Sequence, residues 1–233
     1  MKLVQELHQA HFFTNNADVT ATPPIVAALM QAIGRFNLIP NMGDELNAIT
    51  GERRKIPMMV SPDESLRVEF PINEIVIIGA GGSLKDFTEK ANDIFKELAS
   101  VFPEKKGNRL SLLNNKFYEG ETSEYEELYK KIFTYHDGNP FEWDNRIVER
   151  KILPSKEAIN SITTIRRCQI SSPSIQSNKL INSVIFELDS NTVRENPVMR
   201  FSLLDSNKVI GELLANNQDV SNELRRYTEQ ADE

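Results

Sequence analysis

Residues 74–102 read EIVIIGAGGSLKDFTEKANDIFKELASVF, and this stretch decides the fold class. Glu74–Ile78 is a continuous apolar run, which is typical of a strand in the interior of a sheet. From Ser83 to Phe102 the apolar residues recur at helical spacing, with Ser83 as N-cap and Asp86 at the third helical position, in the manner of a capping box. The sequence therefore predicts a strand that leads through glycines directly into a long amphipathic helix.

Outward from this unit, the chain predicts a β-meander before it and long strands after it. The predicted strands are Lys55–Val60, Leu66–Phe70, Glu74–Ile78, Arg109–Tyr118, Phe141–Leu153, Ile162–Ile170, Leu180–Leu188 and Val198–Leu204. Pro57 places the first of these at a sheet edge, because proline cannot donate to a ladder. Residues 2–13 fit a strand or a short helix equally well, and residues 37–54 are predicted to be loop-rich.

The predicted helices are 83–102, 122–134 and 206–228, with a further helical segment opening at Pro23 and Pro24. Thr122 is the expected cap of the second helix, and Asn216 and Asn217 favour a break in the last one. Long strands joined by turns favour antiparallel pairing, so we predict an α+β fold with antiparallel sheet packed on these helices. The pattern of 55–102 recurs loosely at 161–228, which suggests two similar halves.

The length of 233 residues suits one α+β domain spanning 1–233. The alternative is a subdivision at one of two polar stretches, 105–108 or 154–161. A single cysteine, Cys168, allows no intramolecular disulfide and favours the reducing cytoplasm. The N-terminus has no signal-peptide pattern, and no apolar run approaches the ~20 residues of a membrane span, so no membrane association is expected.

The net charge of −7 argues against a general nucleic-acid coat. Two segments are locally basic, however. Residues 103–118 contain Lys105, Lys106, Arg109 and Lys116, and residues 161–181 contain Arg166, Arg167 and Lys179 without an acid. One interpretation of these cations is a local basic patch that contacts nucleic acid. The alternative is that they are solvated strand edges, where charge discourages aggregation.

The glycine turn is the first candidate site. Gly79, Gly81, Gly82 and Ser83 join the strand to the helix, a layout used by nucleotide and phosphate sites because helix N-termini offer free N–H groups. The third glycine of the dinucleotide fingerprint falls on Leu84, and no Walker lysine follows. Nucleotide or phosphate binding is therefore one hypothesis here, and a purely structural turn is the other.

The second candidate site contains Glu149 and Lys151, which share one face of a predicted strand, and Asp137, which precedes them in a turn. Over residues 120–153 this pattern resembles the metal-dependent nucleases of the Asp…Glu-x-Lys type. The resemblance implies that the two acids hold Mg²⁺ and that the lysine orients or activates water. An exposed strand with alternating charges explains the same residues without chemistry.

The remaining reactive residues are few. His8 and His11 align on a helix but point to opposite faces of a strand, and His136 is interpreted as a turn residue. No Cys/His cluster has zinc spacing, and Cys168 within a strand favours packing. Trp143 with Phe141 serves equally as an interface anchor or as core.

By elimination, the leading hypothesis is a non-enzymatic protein-interaction or regulatory protein that self-associates and needs no cofactor. Magnesium is implied only by the nuclease alternative. Asparagine is abundant throughout the chain, which favours a prokaryotic or phage source. We therefore place a role in phage–host conflict, such as antiviral defence, among the hypotheses.

Overall fold

The computed structural model describes residues 1–46, 48, 50–134, 137–172 and 176–228. The strands are β1 (Lys2–Phe13), β2 (Ile39–Leu46), β3 (Arg53–Val60), β4 (Leu66–Glu69), β5 (Glu74–Ala80), β6 (Lys106–Gly107), β7 (Arg109–Glu119), β8 (Trp143–Ile152), β9 (Ala158–Ser172), β10 (Gln176–Thr192) and β11 (Phe201–Ser202). The helices are α1 (Pro23–Ile33), α2 (Leu84–Val101), α3 (Thr122–Ile132) and α4 (Ser206–Leu224), and short 3-10 turns follow α1 and α4. The content of 30% helix and 42% strand confirms the predicted α+β class.

Nine of these strands form one antiparallel sheet in the order β2-β3-β4-β5-β1-β7-β10-β9-β8, and β6 pairs with β11 apart from it. The N-terminal segment is therefore a strand, and it lies at the centre of the sheet between β5 and β7. Its burial alternates, with His8, Ala10 and Phe12 buried and the residues between them only partly so. This period of two is the signature of a strand with different surroundings on its two faces.

The helices pack on one face of the sheet and bury its apolar side chains. The larger core joins Phe12 and Ile77 of the sheet to Leu29, Phe95 and Leu213 of three helices. A smaller cluster contains Tyr125 and Leu128 of α3 together with β10 and the end of α4. Burial of the apolar side of each helix holds the helices as one layer against the sheet.

Several expected strands differ in the structure. The loop-rich prediction for 37–54 was wrong, because β2 forms there as an edge strand. The edge position of Pro57 was also wrong, since β3 lies between β2 and β4; β4 pairs only with Met58–Val60, so the proline falls outside that ladder. The expected strand 198–204 shrinks to Phe201–Ser202, which pairs with β6.

The helix ends differ more subtly. Ser83 caps α2 as predicted, with its Oγ accepting from the Asp86 N–H at 3.1 Å. The cap of α3 is Glu121 rather than Thr122, and Glu124 completes a capping box with it. The predicted break near Asn216 was wrong, because the side chains of Asn216 and its neighbour bond to the sheet instead of competing for the helix backbone.

The element order strand, helix, strands, helix occurs twice, as β1 to α2 and as β7 to α4. Four strands separate the two helices in each case, although β11 in the second lies outside the nine-stranded sheet, and structural similarity of the two halves stays a prediction. So do the single domain and its alternative boundaries. Among the helices of the described chain, none has both the length and the apolar character of a membrane span.

Candidate functional site

The sheet presents one face without a helical layer, which we call the open face. It is defined by the side chains that alternate with the core-facing ones. Its charged and polar members are Gln9, His11, Arg67, Glu69, Glu74, Arg109, Ser111, Asn115, Glu119, Asp144, Arg146, Arg150, Asn160, Thr164, Arg166, Glu187, Asp189 and Asn191. Acids and bases are interleaved on this surface, together with buried apolar side chains such as Val76, Phe117 and Ile185.

A hydrogen-bonded network lies at the centre of the open face. His11 Nδ1 is 2.7 Å from a carboxylate oxygen of Glu74, and its Nε2 is 3.0 Å from Oε1 of Gln9. On the neighbouring strand, Ser111 Oγ donates to Asp189 at 2.7 Å, and the Asn191 amide donates to the other oxygen of that carboxylate at 2.9 Å. These contacts place polar groups in fixed orientations across four strands.

His11 and Ser111 oppose each other in the ladder, with Glu74 behind the histidine. This brings together a hydroxyl, an imidazole and a carboxylate, the residue types of a nucleophilic triad. The hydroxyl, however, donates to Asp189, and His11 Nε2 is engaged by Gln9. A nucleophile needs its base within hydrogen-bond reach, so this arrangement is better suited to recognition than to acyl transfer.

Buried polar atoms without a hydrogen-bond partner concentrate on the open face. Of the eight such side-chain atoms in the described residues, five lie on the open face: Arg109 Nε, Asn115 Oδ1, Glu119 Oε1, Thr164 Oγ1 and Arg166 Nε. Leaving a buried donor or acceptor unsatisfied costs about 1–3 kcal/mol. A molecule bound on this face gains affinity by supplying the missing partners.

The cations of the two basic segments do not share one surface. Arg109 stacks over Phe13 on the open face, whereas Lys116 lies on the helical side and donates to Ser221 of α4 at 2.9 Å. Arg166 pairs with Glu187 at 2.8 Å on the open face, and Arg167 lies over the Tyr125 ring on the helical side. The nucleic-acid interface stays a prediction, and this distribution gives it little support.

The glycine turn is held by contacts within the protein. Gly81 N–H donates to the Glu6 carbonyl at 2.8 Å, and the Gly82 carbonyl lies 3.3 Å from His8 Nε2. Gly81 and Gly82 have φ of +75° and +73°, a region that favours glycine. A Cβ on Gly79 would meet the Phe87 ring at 2.5 Å. Backbone geometry and close packing therefore explain these glycines.

Electrostatics at the start of α2 also favours the structural interpretation. Ser83 Oγ donates to the Asp86 carboxylate at 2.7 Å, so a negative group already occupies the first turn, where a phosphate would sit. A cleft of about 450 Å³ opens beside it, towards α4. Lys85 and Lys116 line this cleft together with Glu6 and Asp219, which gives it mixed charge.

We expect Gly81→Val to lower the free energy of unfolding by about 1–3 kcal/mol, because valine at positive φ is strained. No atom lies within 4 Å of the added Cβ, so backbone strain alone sets the effect. Denaturant unfolding measures it. In the wild type, a structural turn predicts no thermal shift with NAD, ATP or GTP; a shift that Gly81→Val abolishes would instead support nucleotide binding.

His8 is fully buried between the turn and the sheet, with its ring stacked on Phe87. The Asn114 amide donates to Nδ1 at 2.9 Å, which leaves Nε2 to donate to Gly82. His11 lies on the opposite face, as the strand alternative predicted. Burial lowers the pKa of His8 below its usual 6.5, although the Gly82 contact opposes the shift.

A lowered pKa means that the folded protein keeps His8 neutral where the unfolded chain protonates it. Stability is therefore unaffected by His8 above pH 6.5 and falls as the pH drops below 6.5 towards the folded-state pKa. We expect denaturant unfolding at a series of pH values to show this loss. His8→Gln should flatten the dependence; an unchanged slope in that variant would assign the loss to other groups.

The nuclease candidates lie on β8 and before it. Glu149 and Lys151 share a face, as expected, and form an ion pair at 3.3 Å on the helical side. Lys151 also donates to Asn216 of α4 at 3.2 Å. Asp137 is exposed in the segment that precedes β8, and His136 falls outside the described residues. No cluster of three or more metal-ligating side chains occurs within the described ranges.

We expect Glu149→Ala with Lys151→Ala to change the free energy of unfolding by at most about 1 kcal/mol, because the glutamate is 61% and the lysine 39% exposed, so that solvent screens the pair. A nuclease site predicts loss of cleavage by orders of magnitude in each single variant. Incubation with plasmid, single-stranded DNA and RNA in Mg²⁺ or Mn²⁺, with EDTA controls, distinguishes the two. Cleavage that both variants and EDTA abolish would contradict a binding role.

The other aromatic and thiol candidates take structural positions. The Trp143 ring packs on Tyr129 and Phe133 at centroid distances of 6.1 and 5.6 Å, while Phe141 stays exposed. Cys168 lies on β9, where burial raises the pKa of its thiol. A raised pKa reduces the thiolate fraction at neutral pH, which argues against a nucleophile.

The outer edge of β8 is the feature that sequence inspection missed. β8 ends the strand order, so only its β9 side is paired within the described chain. It is 10 residues long, and Ile147, Val148 and Ile152 expose 55%, 47% and 68% of their surface. A long edge with exposed apolar side chains is a ready template for another strand. The alternating charges of residues 143–152 are visible in the sequence, but there they were interpreted only as an exposed strand.

No protein-family model matches the chain, and no curated protein does. Among solved structures, the chain is similar to a rolling circle replication initiator protein from Geobacillus stearothermophilus, with 12% identity, a TM-score of 0.33, and coverage of 100% of this chain and 89% of that one. It is also similar to Methanococcus jannaschii TBP, with 11% identity, a TM-score of 0.26, and coverage of 94% and 98%. Both TM-scores are low.

Proposed function

We propose that this protein is a non-enzymatic protein-binding protein of the cytoplasm that receives a polypeptide strand along the outer edge of β8. The observation that carries the proposal is the free edge itself. Every second backbone N–H and C=O of an edge strand points away from the sheet, and a docking strand satisfies them. Exposed Ile147 and Val148 then add apolar contacts on both faces of the extended sheet.

The two ends of the sheet are not equivalent, and the comparison favours β8. β2 also exposes apolar side chains, such as Ile39 and Met42. It contains Pro40 and Gly43, however, and proline removes a donor from the edge. β8 contains neither residue, so its whole length is available for pairing.

The open face supports a protein partner over a polyanion. Its ion pairs, such as Arg67 with Glu69 at 2.6 Å and Arg166 with Glu187 at 2.8 Å, leave no excess of positive charge. Unpartnered polar atoms such as Thr164 Oγ1, on the strand next to β8, offer hydrogen bonds to the part of the partner that follows the docked strand. Mixed polar contacts of this kind are typical of protein interfaces.

The test uses a synthetic peptide of alternating threonine and valine, cut to the length of β8. Amide hydrogen exchange of the protein is measured with and without it, at a concentration at which sedimentation shows the chain to be monomeric, so that the β8 edge is free. We expect slower exchange confined to β8, since ladder hydrogen bonds protect amides. The matched control is the same peptide with proline at its centre, which should give no protection. Protection by both peptides, or by neither, would contradict docking at this edge.

A further inference from the structure

We propose that the occupant of the β8 edge is the β8 of a second copy of this chain, paired antiparallel about a two-fold axis at Ile147. This inference rests on the proposed function and specifies its partner. Closed two-fold dimers are the commonest assemblies of soluble proteins. Edge-to-edge pairing of this kind joins two sheets into one and removes the exposed β8 edge from both protomers.

Strand geometry restricts the registers that such a dimer can use. In an antiparallel pair, opposing residues lie on the same face of the sheet. Alternate residues of β8 point to opposite faces. An even-numbered residue therefore opposes an even-numbered one, and the two-fold axis passes through a residue that opposes its own copy.

Centring the axis on Ile147 produces complementary pairs along the strand. Asp144 opposes Arg150 of the second copy, and symmetry forms this pair twice; Arg150, which pairs with Glu195 of its own chain at 3.0 Å, then lies between two carboxylates. On the helical side, Ile147 opposes itself and Trp143 opposes Lys151. These are an opposite-charge pair, an apolar pair and a ring beside a cation, each of which stabilises adjacent strands.

The neighbouring registers are unfavourable. An axis at Val148 sets Arg146 against Arg150, again twice. An axis at Arg146 or at Glu149 sets that residue against its own copy. Like charges directly opposite each other destabilise a strand pair. An axis at Asn145 also opposes unlike charges, Asp144 and Arg146, but it pairs only residues 143–147 of each strand, whereas an axis at Ile147 pairs residues 143–151. The order of charges together with the length of the overlap thus selects the Ile147 register.

Head-to-tail pairing of β8 with β2 is the competing arrangement, and it generates an open filament rather than a closed dimer. It also requires Pro40 within the new ladder. The Ile147 dimer needs no proline at the interface. Sedimentation analysis separates a closed dimer from a growing series of larger species.

The decisive experiment exchanges the charges of the Asp144–Arg150 pair. In a dimer of the Asp144→Arg variant an arginine opposes Arg150 at both symmetry-related positions, and in a dimer of the Arg150→Asp variant an aspartate opposes Asp144 at both. We expect each variant to raise the dimer dissociation constant at least about tenfold in sedimentation velocity. Mixing the two variants places arginine against aspartate at both positions, so the mixture should form heterodimers about as tightly as the wild type. This recovery also shows that both variants are folded.

The matched control is Asp44→Arg on β2, which makes the same charge change at the opposite edge. It should leave the dissociation constant unchanged. Wild-type affinity in both single variants, or a mixture no tighter than either variant alone, overturns the register. An equal loss of affinity in the control overturns pairing through β8.

Disulfide crosslinking tests the position of the axis independently of charge. In a Cys168→Ser background, Ile147→Cys places two thiols opposite each other, with Cβ atoms about 5 Å apart. Copper phenanthroline as oxidant should convert this variant to a covalent dimer. Val148→Cys opposes Arg146 instead and should crosslink far less. Equal crosslinking of the two variants contradicts the Ile147 axis.

Failure of this inference is distinguishable from failure of the proposed function. A wild-type protein that stays monomeric at all concentrations overturns the self-pairing. If the threonine–valine peptide still protects β8 in that monomer, strand docking stands with a different partner. If neither association occurs, both proposals are overturned.

Discussion

Replacing Phe95 with alanine should lower the free energy of unfolding by about 3–5 kcal/mol, the range for a phenylalanine removed from a packed core. Phe95 of α2 is fully buried, and its ring lies 5.9 Å from that of Phe12 on the central strand β1. The substitution opens a cavity where the longest helical stripe meets the middle of the sheet. Urea or guanidinium unfolding measures the effect.

Lys96→Ala is the control for helix propensity, since Lys96 is the exposed neighbour on the same helix. It should change stability by less than about 0.5 kcal/mol. If Phe95→Ala cost no more than Lys96→Ala, the packing of α2 on β1 would be wrong.

Replacing Arg200 with alanine should cost about 2–3 kcal/mol, the second largest effect we expect. Its guanidinium donates to both carboxylate oxygens of Glu157, at 2.9 and 2.7 Å, and to the main-chain carbonyls of Asn108 and Asn196. Both members of the ion pair are mostly buried, with 16% and 20% of their side chains exposed. Loss of the arginine leaves a partly buried carboxylate and three carbonyls, including that of Val198, without this donor.

The comparison is Arg35→Ala, which breaks an ion pair with Glu97 at 2.8 Å in which the arginine is 61% exposed. Such an exposed pair contributes about 0–1 kcal/mol. Thermal or denaturant unfolding of the two variants should differ clearly. Equal losses would show that Arg200 does not anchor the segment between β10 and β11.

The spacing of residues along the chain predicted those elements in which buried side chains recur at a regular interval. The stripe of 83–102 predicted α2, and Ser83 with Asp86 predicted its cap, because both depend on residues within one or two turns. The strand alternative for residues 2–13 predicted that His8 and His11 lie on opposite faces, and they do. The shared face of Glu149 and Lys151 followed from the same rule.

The spacing of residues did not predict contacts between a residue and a partner that is distant in the chain. Asn217 was expected to weaken α4, but its amide donates to the Leu112 carbonyl and its oxygen accepts from Ser190. Both partners lie on the sheet, and the sequence of α4 alone does not indicate either hydrogen bond. The basic segments were likewise visible as charge, but only the fold shows that their cations lie on different faces.

The sequence by itself determined the fold class and most of the strands and helices, since these follow from the spacing of residues along the chain. Only the tertiary structure decided that β1 and β7 are central, that β2 and β8 are the edges, and that the open face carries a polar network. Strand order depends on which distant segments pair, and loop closure between them leaves no local periodic signal. The residues of β8 were therefore predicted correctly as a strand, and their place at a free edge came from the fold.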